Sequence, residues 1–161
     1  MAIKVGDTLP EATLMQMTDK GPQPVPVTEL TAGKTVVLFA VPGAFTPTCS
    51  NRHLPGFLHN ADAIKAKGVD IIGCISVNDA FVMGAWGKAQ GADGKVLMLA
   101  DGNGEFTKKV GMDLDASGFG MGLRSRRYAV IAKNGKVTFL GVDANPGEAV
   151  ESGAEKILSQ L

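Results

Sequence analysis

Residues 35–49 have the sequence TVVLFAVPGAFTPTC. The run from 35 to 41 is apolar after its first residue and begins with three β-branched residues, so it predicts a buried β-strand. A turn with two prolines and a glycine follows, and a helix-like sequence continues from Ser50. This order of strand, turn and helix places Cys49, one of two cysteines in the chain, at the beginning of a helix.

The position of Cys49 favours a reactive sulfur. Backbone N–H groups in the first turn of a helix lack partners, and together with the helix dipole they stabilise a thiolate. A free cysteine with a pKa of about 8.5 is about 3% thiolate at pH 7, so complete ionisation increases the thiolate only ~30-fold. A faster reaction requires neighbours that also stabilise the transition state.

Suitable neighbours are present in the sequence. The hydroxyl of Thr46 can both donate and accept a hydrogen bond, and Pro42 supplies a rigid apolar wall that limits water. The basic cluster of Arg124, Arg126 and Arg127 is the densest source of a cation. The strand after this cluster is apolar on both faces, so the residues alone leave open which arginine faces the sulfur.

Strand-like and helix-like segments alternate along the rest of the chain. Further strands are predicted at residues 69–77, 96–100, 128–133 and 136–142, the last two joined by the hairpin signal Asn134-Gly135. Helices are predicted at residues 49–67, 78–88, 105–110 and 152–160. Residues 1–31 are rich in turn signals, with a short strand at 25–29. The order predicts a single α/β domain over residues 1–161, with a mixed central sheet flanked by helices and an antiparallel edge.

Two local patterns refine the predicted helices. In the 49–67 helix, Leu54, Phe57 and Ile64 belong to one apolar stripe, and Pro55 predicts a kink because it lacks the N–H of a helical bond. The segment from Ser152 to Glu155 has a capping-box pattern and predicts the start of the last helix.

Composition narrows the classes of function. The 161 residues are 45% apolar and 20% charged, with 16 basic and 16 acidic side chains, so no net field favours nucleic acid or an anionic membrane. No signal-peptide pattern, membrane-length apolar run or metal-ligand spacing is apparent, and no cofactor is implied. Two cysteines do not make a disulfide framework, so we expect a reducing, cytoplasmic location.

Pro42, Thr46 and Cys49 match the signature of the peroxiredoxins: proline, three residues, threonine, two residues, cysteine. The fuller string PGAFTPTCS, followed by HLPGF at 53–57, resembles the peroxiredoxin-5 or type II subfamily, and the likeness extends over the whole chain. The resemblance implies a thioredoxin-like fold and a peroxidase that reduces hydrogen peroxide and alkyl hydroperoxides. Cys49 would attack the peroxide and become a sulfenic acid.

The resemblance also implies a role for each site residue. Thr46 would orient the peroxide and bond the thiolate, Pro42 would shield the sulfur, and Arg127 would hold the thiolate and polarise the peroxide. His53, four residues after Cys49, raises the alternative of a Cys-His nucleophile pair. We expect His53 instead to brace the local hydrogen bonds.

The second cysteine, Cys74, lies 25 positions after Cys49 in a predicted buried strand. Its spacing resembles that of plant-type and related bacterial members that take electrons from glutaredoxin with glutathione, or from thioredoxin. A disulfide requires Cα atoms within about 7 Å, and we do not expect a cysteine at a helix start and one in the middle of a strand to lie that close without local unfolding. We therefore expect Cys74 to be a core residue and the reductant to be an external thiol. The resemblance further implies a homodimer packed through the loops around the active site.

Three alternatives remain at this stage. An atypical 2-Cys peroxidase would use Cys74 as the resolving cysteine. A disulfide oxidoreductase of the thioredoxin type normally has a Cys-x-x-Cys pair, but Thr46 and Arg52 occupy the positions three residues from Cys49. A peroxide-sensing interaction or chaperone-like module would use the same oxidation as a trigger, with slow reduction.

Overall fold

The computed structural model describes residues 2–161. Its strands are β1 Thr13–Thr18, β2 Gly21–Pro26, β3 Thr35–Ala40, β4 Ile71–Ser76, β5 Leu97–Ala100, β6 Asp113–Asp115, β7 Leu123–Ser125, β8 Tyr128–Lys133 and β9 Lys136–Val142. Its α-helices are α1 Val27–Thr31, α2 Leu54–Ala66, α3 Ala80–Gln90, α4 Glu105–Lys109 and α5 Ala154–Ser159. A π-helical turn occupies Cys49–His53, and a 3₁₀ turn occupies Ser117–Phe119.

Seven of the strands form one mixed sheet in the order β2-β1-β5-β4-β3-β8-β9. The central strands β3, β4 and β5 are parallel, while β8 pairs antiparallel with β3 on the other side. The strand at 35–41 is therefore confirmed as a buried central element, and its residues 36–40 have no exposed surface. The predicted α/β class, with a mixed sheet flanked by helices, is confirmed as well.

Alternate residues of β3 face two separate apolar cores. Val37 and Phe39 pack in the core that contains the inner faces of α2, α3 and α5 and also Cys49. Val36 and Leu38 pack in the core that contains α1 and α4. Because successive side chains of a strand point to opposite faces, one apolar run supports both helical layers. The loop after β3 consequently begins from the best-buried part of the molecule.

The prediction for the first 31 residues was wrong. Strands β1 and β2 form an antiparallel hairpin, and the segment predicted as a strand at 25–29 ends β2 and begins α1. The prolines at 22 and 24 obscured β2, since proline usually argues against a strand. They are tolerated because β2 is the edge of the sheet, where a missing N–H removes no ladder bond.

The helix predicted at 49–67 is divided in two. Its first five residues are π-helical, with the N–H of Leu54 bonding the carbonyl of Cys49, and α2 begins only at Leu54. Pro55 lies in the first turn of α2, directly after the π-helical turn. The helix therefore changes type immediately before Pro55, and the kink stays a prediction.

Other local predictions had mixed outcomes. The Asn134-Gly135 hairpin is confirmed, with positive φ angles of 50° and 81°. The helix predicted at 78–88 is present as α3, and Asp79 caps it by accepting from the N–H of Val82. The capping box at Ser152 was wrong: Gly153 occupies the cap of α5, and the Ser152 hydroxyl bonds Asp143. The small β6–β7 hairpin was not predicted. No helix among residues 2–161 is long and apolar enough to cross a membrane.

The segment 143–153 connects β9 to α5 and passes close to the sheet. Gly141 in β9 permits this approach, since a Cβ there would overlap the carbonyl oxygen of Glu151. The backbone N–H of Asp143 bonds the carbonyl of Arg127, which precedes β8. This segment is thereby held beside the end of β3, where the loop to Cys49 begins.

Candidate active site

Arg127 and Cys49 meet although they are 78 residues apart in sequence. Strand β8 runs antiparallel to β3 with Tyr128 opposite Ala40, so Arg127 lies beside the end of β3. Its Nη2 donates to the Sγ of Cys49 at 3.1 Å, and both residues are buried. The structure thus identifies Arg127 as the member of the basic cluster that contacts the sulfur. Arg124 instead donates to the carbonyls of Met121 and Val77.

Each nitrogen of the Arg127 guanidinium has an acceptor. Nε donates to the carbonyl of Pro146 at 3.1 Å, Nη1 donates to Nδ1 of His53 at 2.9 Å, and Nη2 donates to Sγ. These three bonds fix the plane of the guanidinium. An arginine has five N–H bonds, so two remain for a ligand beside the sulfur.

The arrangement also fixes the tautomer of His53. A guanidinium only donates, so Nδ1 of His53 is the acceptor and carries no proton, and Nε2–H donates to the carbonyl of Ser152 at 2.9 Å. Burial and the adjacent Arg127 lower the pKa of His53 to about 3. The imidazole is therefore neutral near pH 7, and its lone pair is engaged by Arg127 rather than free to accept the Cys49 proton. This geometry favours a bracing role over a Cys-His pair.

The turn between β3 and Cys49 carries the remaining predicted residues. Pro42 is buried, and the Thr46 hydroxyl donates to the carbonyl of Gly43 at 2.7 Å rather than to the sulfur. The hydroxyl lone pairs of Thr46 remain able to accept from a ligand. Asn78 holds this turn by accepting from the N–H of Ala44 at 3.0 Å.

Two residues of the site, Asp143 and Ser152, were missed by the sequence analysis. The Asp143 carboxylate accepts from the N–H groups of Val150, Glu151 and Ser152 and from the Ser152 hydroxyl. Burial raises the pKa of Asp143, but the hydrogen bonds from Ser152, Glu151 and Val150 outweigh it and lower the pKa below the ordinary value. No sequence pattern indicated this cluster, because its hydrogen bonds lie within an irregular segment.

Cys74 lies in the middle of β4 and is fully buried. It pairs with Phe39 in the sheet and belongs to the same apolar core as Cys49. Burial, and secondarily the nearby Cys49, raises the pKa of the Cys74 thiol well above its ordinary value. Both cysteines are free in this structure. Among residues 2–161, no group of three or more His, Cys, Asp or Glu side chains is placed to hold a metal ion.

Comparisons with known proteins identify the family of the chain. The Redoxin family profile matches residues 4–158. The chloroplastic Peroxiredoxin-2E of Arabidopsis thaliana is 50% identical over 99% of this chain and 70% of its own length. The chain belongs to the peroxiredoxins.

Solved peroxiredoxin structures share the whole fold. Reduced Prx3 of Vibrio vulnificus in complex with hydrogen peroxide is 60% identical, with a TM-score of 0.93 and 98% of each chain covered. Peroxiredoxin 5 of Alvinella pompejana is 35% identical, with a TM-score of 0.85, 98% of this chain covered and 97% of that chain. These likenesses confirm the expected family and thioredoxin-like fold. This peroxiredoxin is accordingly a thiol-dependent peroxidase, with peroxides as substrates and thiols as reductants.

The neutral state of His53 predicts a pH dependence of stability. The folded protein excludes a proton that the unfolded chain binds between pH 6.5 and about 3. The stabilisation that comes from this neutral histidine is therefore fully present above pH 6.5. It falls as the pH decreases through that window, by about 1.4 kcal/mol of unfolding free energy per pH unit. Denaturant unfolding at several pH values should give a steeper dependence for the wild type than for His53→Gln.

The exposed histidine provides a matched control. His59→Gln should retain the wild-type slope, because its side chain is not buried by folding. If His53→Gln and the wild type lost stability in parallel below pH 6.5, the neutral buried histidine would be disproved.

Proposed function

We propose that Cys49 is the peroxidatic cysteine and that Arg127, Thr46 and Pro42 form its peroxide site. The observation that carries this proposal is the 3.1 Å hydrogen bond from Nη2 of Arg127 to Sγ, between two buried residues. A cation that donates to the sulfur stabilises the thiolate, and a water-poor site strengthens that interaction. A 60% identical relative has been crystallised with hydrogen peroxide, which supports the same substrate here.

The proposed reaction transfers one oxygen atom. The Cys49 thiolate attacks the distal oxygen of the peroxide, an S–O bond forms, and the O–O bond breaks. The leaving oxygen takes a proton and departs as water or an alcohol, leaving Cys49 as a sulfenic acid. The free N–H groups of Arg127 stabilise the charge that develops on the peroxide oxygens, and the Thr46 hydroxyl accepts from the peroxide O–H.

Replacing the sulfur tests the nucleophile. Cys49→Ser should abolish peroxide reduction, because a hydroxyl at neutral pH has no appreciable anion and does not form a sulfenic acid. Peroxide consumption with an excess of thiol reductant measures the effect. Retention of even a tenth of the wild-type rate would refute the assignment.

Replacing the cation separates ionisation from transition-state stabilisation. Arg127→Ala should lower the thiolate fraction, followed by its ultraviolet absorbance, and should slow peroxide reduction by more than the ~30-fold that ionisation alone supplies. The neighbouring Arg126 is partly exposed, and Arg126→Ala should leave both quantities nearly unchanged. A loss of 30-fold or less for Arg127→Ala would mean that Arg127 only promotes ionisation.

For the second half of the cycle we propose an external thiol, with glutaredoxin and glutathione favoured and thioredoxin as the alternative. A glutathione thiolate would attack the sulfenic sulfur, releasing water and leaving a mixed disulfide that a second thiol reduces. Cys74 is poorly suited to this step, because burial disfavours its thiolate and β4 lies at the centre of the sheet.

The role of Cys74 is testable by substitution. Cys74→Ser should retain most peroxidase activity when glutathione and glutaredoxin supply the electrons, since no step uses the second sulfur. The same assay with thioredoxin and its reductase ranks the two reductants. Complete loss of activity in Cys74→Ser, with the folded state intact by circular dichroism, would make Cys74 the resolving cysteine.

We also propose a homodimer that packs through the loops around the site. Phe45, Phe81 and Phe119 are 54%, 67% and 87% exposed, an unusual display of aromatic surface for a monomer. Gly43 packs close to Met121, which brings the turn of Phe45 against the loop of Phe119. This contact places Phe45 and Phe119 on neighbouring loops near the turn that leads to Cys49.

Sedimentation velocity tests the dimer. The wild type should sediment as a dimer at micromolar concentration, and Phe119→Glu should shift it toward the monomer because a carboxylate is costly to bury. Val5→Glu alters an exposed apolar side chain near the N-terminus and serves as the control. A wild type that sediments as a monomer would overturn this assembly.

A cytoplasmic location is proposed as well. Two free cysteines suit a reducing compartment. A relative is chloroplastic, so cell fractionation with an antibody against this protein decides the compartment.

A further inference from the structure

We infer that Asp143 and Ser152 are positioning residues that set the orientation of Arg127 at the sulfur. They act through the 143–153 segment and do not contact Cys49. The inference rests on the proposed role of Arg127 and extends it to residues on the far side of the guanidinium.

Asp143 organises the second half of the segment. Its Oδ1 accepts from the N–H groups of Val150 and Glu151 at 3.1 and 2.9 Å, and its Oδ2 accepts from the Ser152 N–H at 3.0 Å and from the Ser152 hydroxyl. The residue is 5% exposed, and Ser152 is fully buried. Four donors therefore converge on the Asp143 carboxylate, and residues 150–152 fold back onto it.

The folded-back segment directs two backbone carbonyl groups toward Arg127 and His53. The carbonyl of Pro146 accepts from Nε of Arg127, and the carbonyl of Ser152 accepts from Nε2 of His53. His53 in turn accepts from Nη1 of Arg127. Two of the three bonds that orient the guanidinium therefore depend, directly or through His53, on the 143–153 segment.

The third bond is the one to the sulfur. A guanidinium is planar, so fixing Nε and Nη1 also fixes where Nη2 and the remaining N–H bonds point. If the two carbonyls shift, the donors shift relative to both Sγ and the incoming peroxide. Misplacement by about 1 Å of groups that align a reaction costs up to roughly 100-fold in rate.

Asp101 supplies a matched comparison within the chain. It is also buried, at 3% exposure, and accepts from two backbone N–H groups and the hydroxyl of Thr107 at the start of α4. Its cluster packs against the other face of the sheet from Cys49. Asp101 and Asp143 thus have similar local hydrogen bonding, but only Asp143 bonds the segment whose carbonyls hold Arg127 and His53.

The experiment compares Asp143→Asn, Ser152→Ala and Asp101→Asn with the wild type. Asparagine retains the size of aspartate but presents an amide N–H₂ where the carboxylate accepted. Single-turnover consumption of hydrogen peroxide by the pre-reduced protein gives the rate constant, ultraviolet absorbance gives the thiolate fraction, and thermal unfolding reports stability.

Asp143→Asn should slow the peroxide step between about 10-fold and 100-fold and reduce the thiolate absorbance. Ser152→Ala retains its carbonyl and should give a smaller loss in the same direction. Asp101→Asn should lower the melting temperature with the rate constant within about 2-fold of the wild type.

The inference is overturned if Asp143→Asn and Ser152→Ala are folded but have wild-type rate constants and thiolate absorbance. It is also overturned if Asp101→Asn slows the reaction as much as Asp143→Asn, because the effect would then be general destabilisation. If Asp143→Asn does not fold, Ser152→Ala decides alone. Activity that survives Cys49→Ser would instead refute the proposed function, so the two failures are distinguishable.

Discussion

The site depends on the hydrogen bond between a buried guanidinium and a buried sulfur. Placing an unpaired cation in an apolar core is unfavourable by several kcal/mol, so the Arg127 guanidinium is stable there only when its donors have acceptors. Pro146 and His53 satisfy those donors on the side away from Cys49. Each nitrogen of the guanidinium is thus held once, and two N–H bonds of Arg127 remain for a ligand beside the sulfur.

Strand register is what brings these groups together. The antiparallel pairing of β8 with β3 places Arg127 next to the end of β3, and the tight turn after β3 returns the chain to Cys49. Strand β9 pairs with β8 and leads into the 143–153 segment, which therefore begins beside Arg127. A one-residue slip of β8 would reverse the direction of its side chains. The buried β-branched run that fixes the fold therefore also fixes the site.

The sequence predicted those parts of the molecule that depend on local signals. The apolar run of β3 and the turn at Asn134-Gly135 indicated the central strands of the sheet, and the residue types before Cys49 indicated its position at the start of a helix. Arg127 was selected only through the family resemblance, because a strand buried on both faces gives no alternation to orient the preceding residue. Asp143 and Ser152 were missed, since most of their partners are backbone groups in an irregular segment. The sequence from Ser152 to Glu155 also matched a helix-capping pattern, which pointed to a different role for Ser152. The π-helical turn was likewise invisible, because its residues also fit an α-helical pattern.

The same contacts that prepare the peroxide step restrict the step after it. A peroxide is small, whereas a thiol carried by a peptide or protein cannot approach a sulfur with no exposed surface. Exposure of Cys49 requires the π-helical turn to open, which breaks the bonds of His53 to Arg127 and Ser152 and of Ser50 to Trp86. A π-helical turn is less regular than an α-helix and has few bonds of its own, so these side chains set the cost of opening.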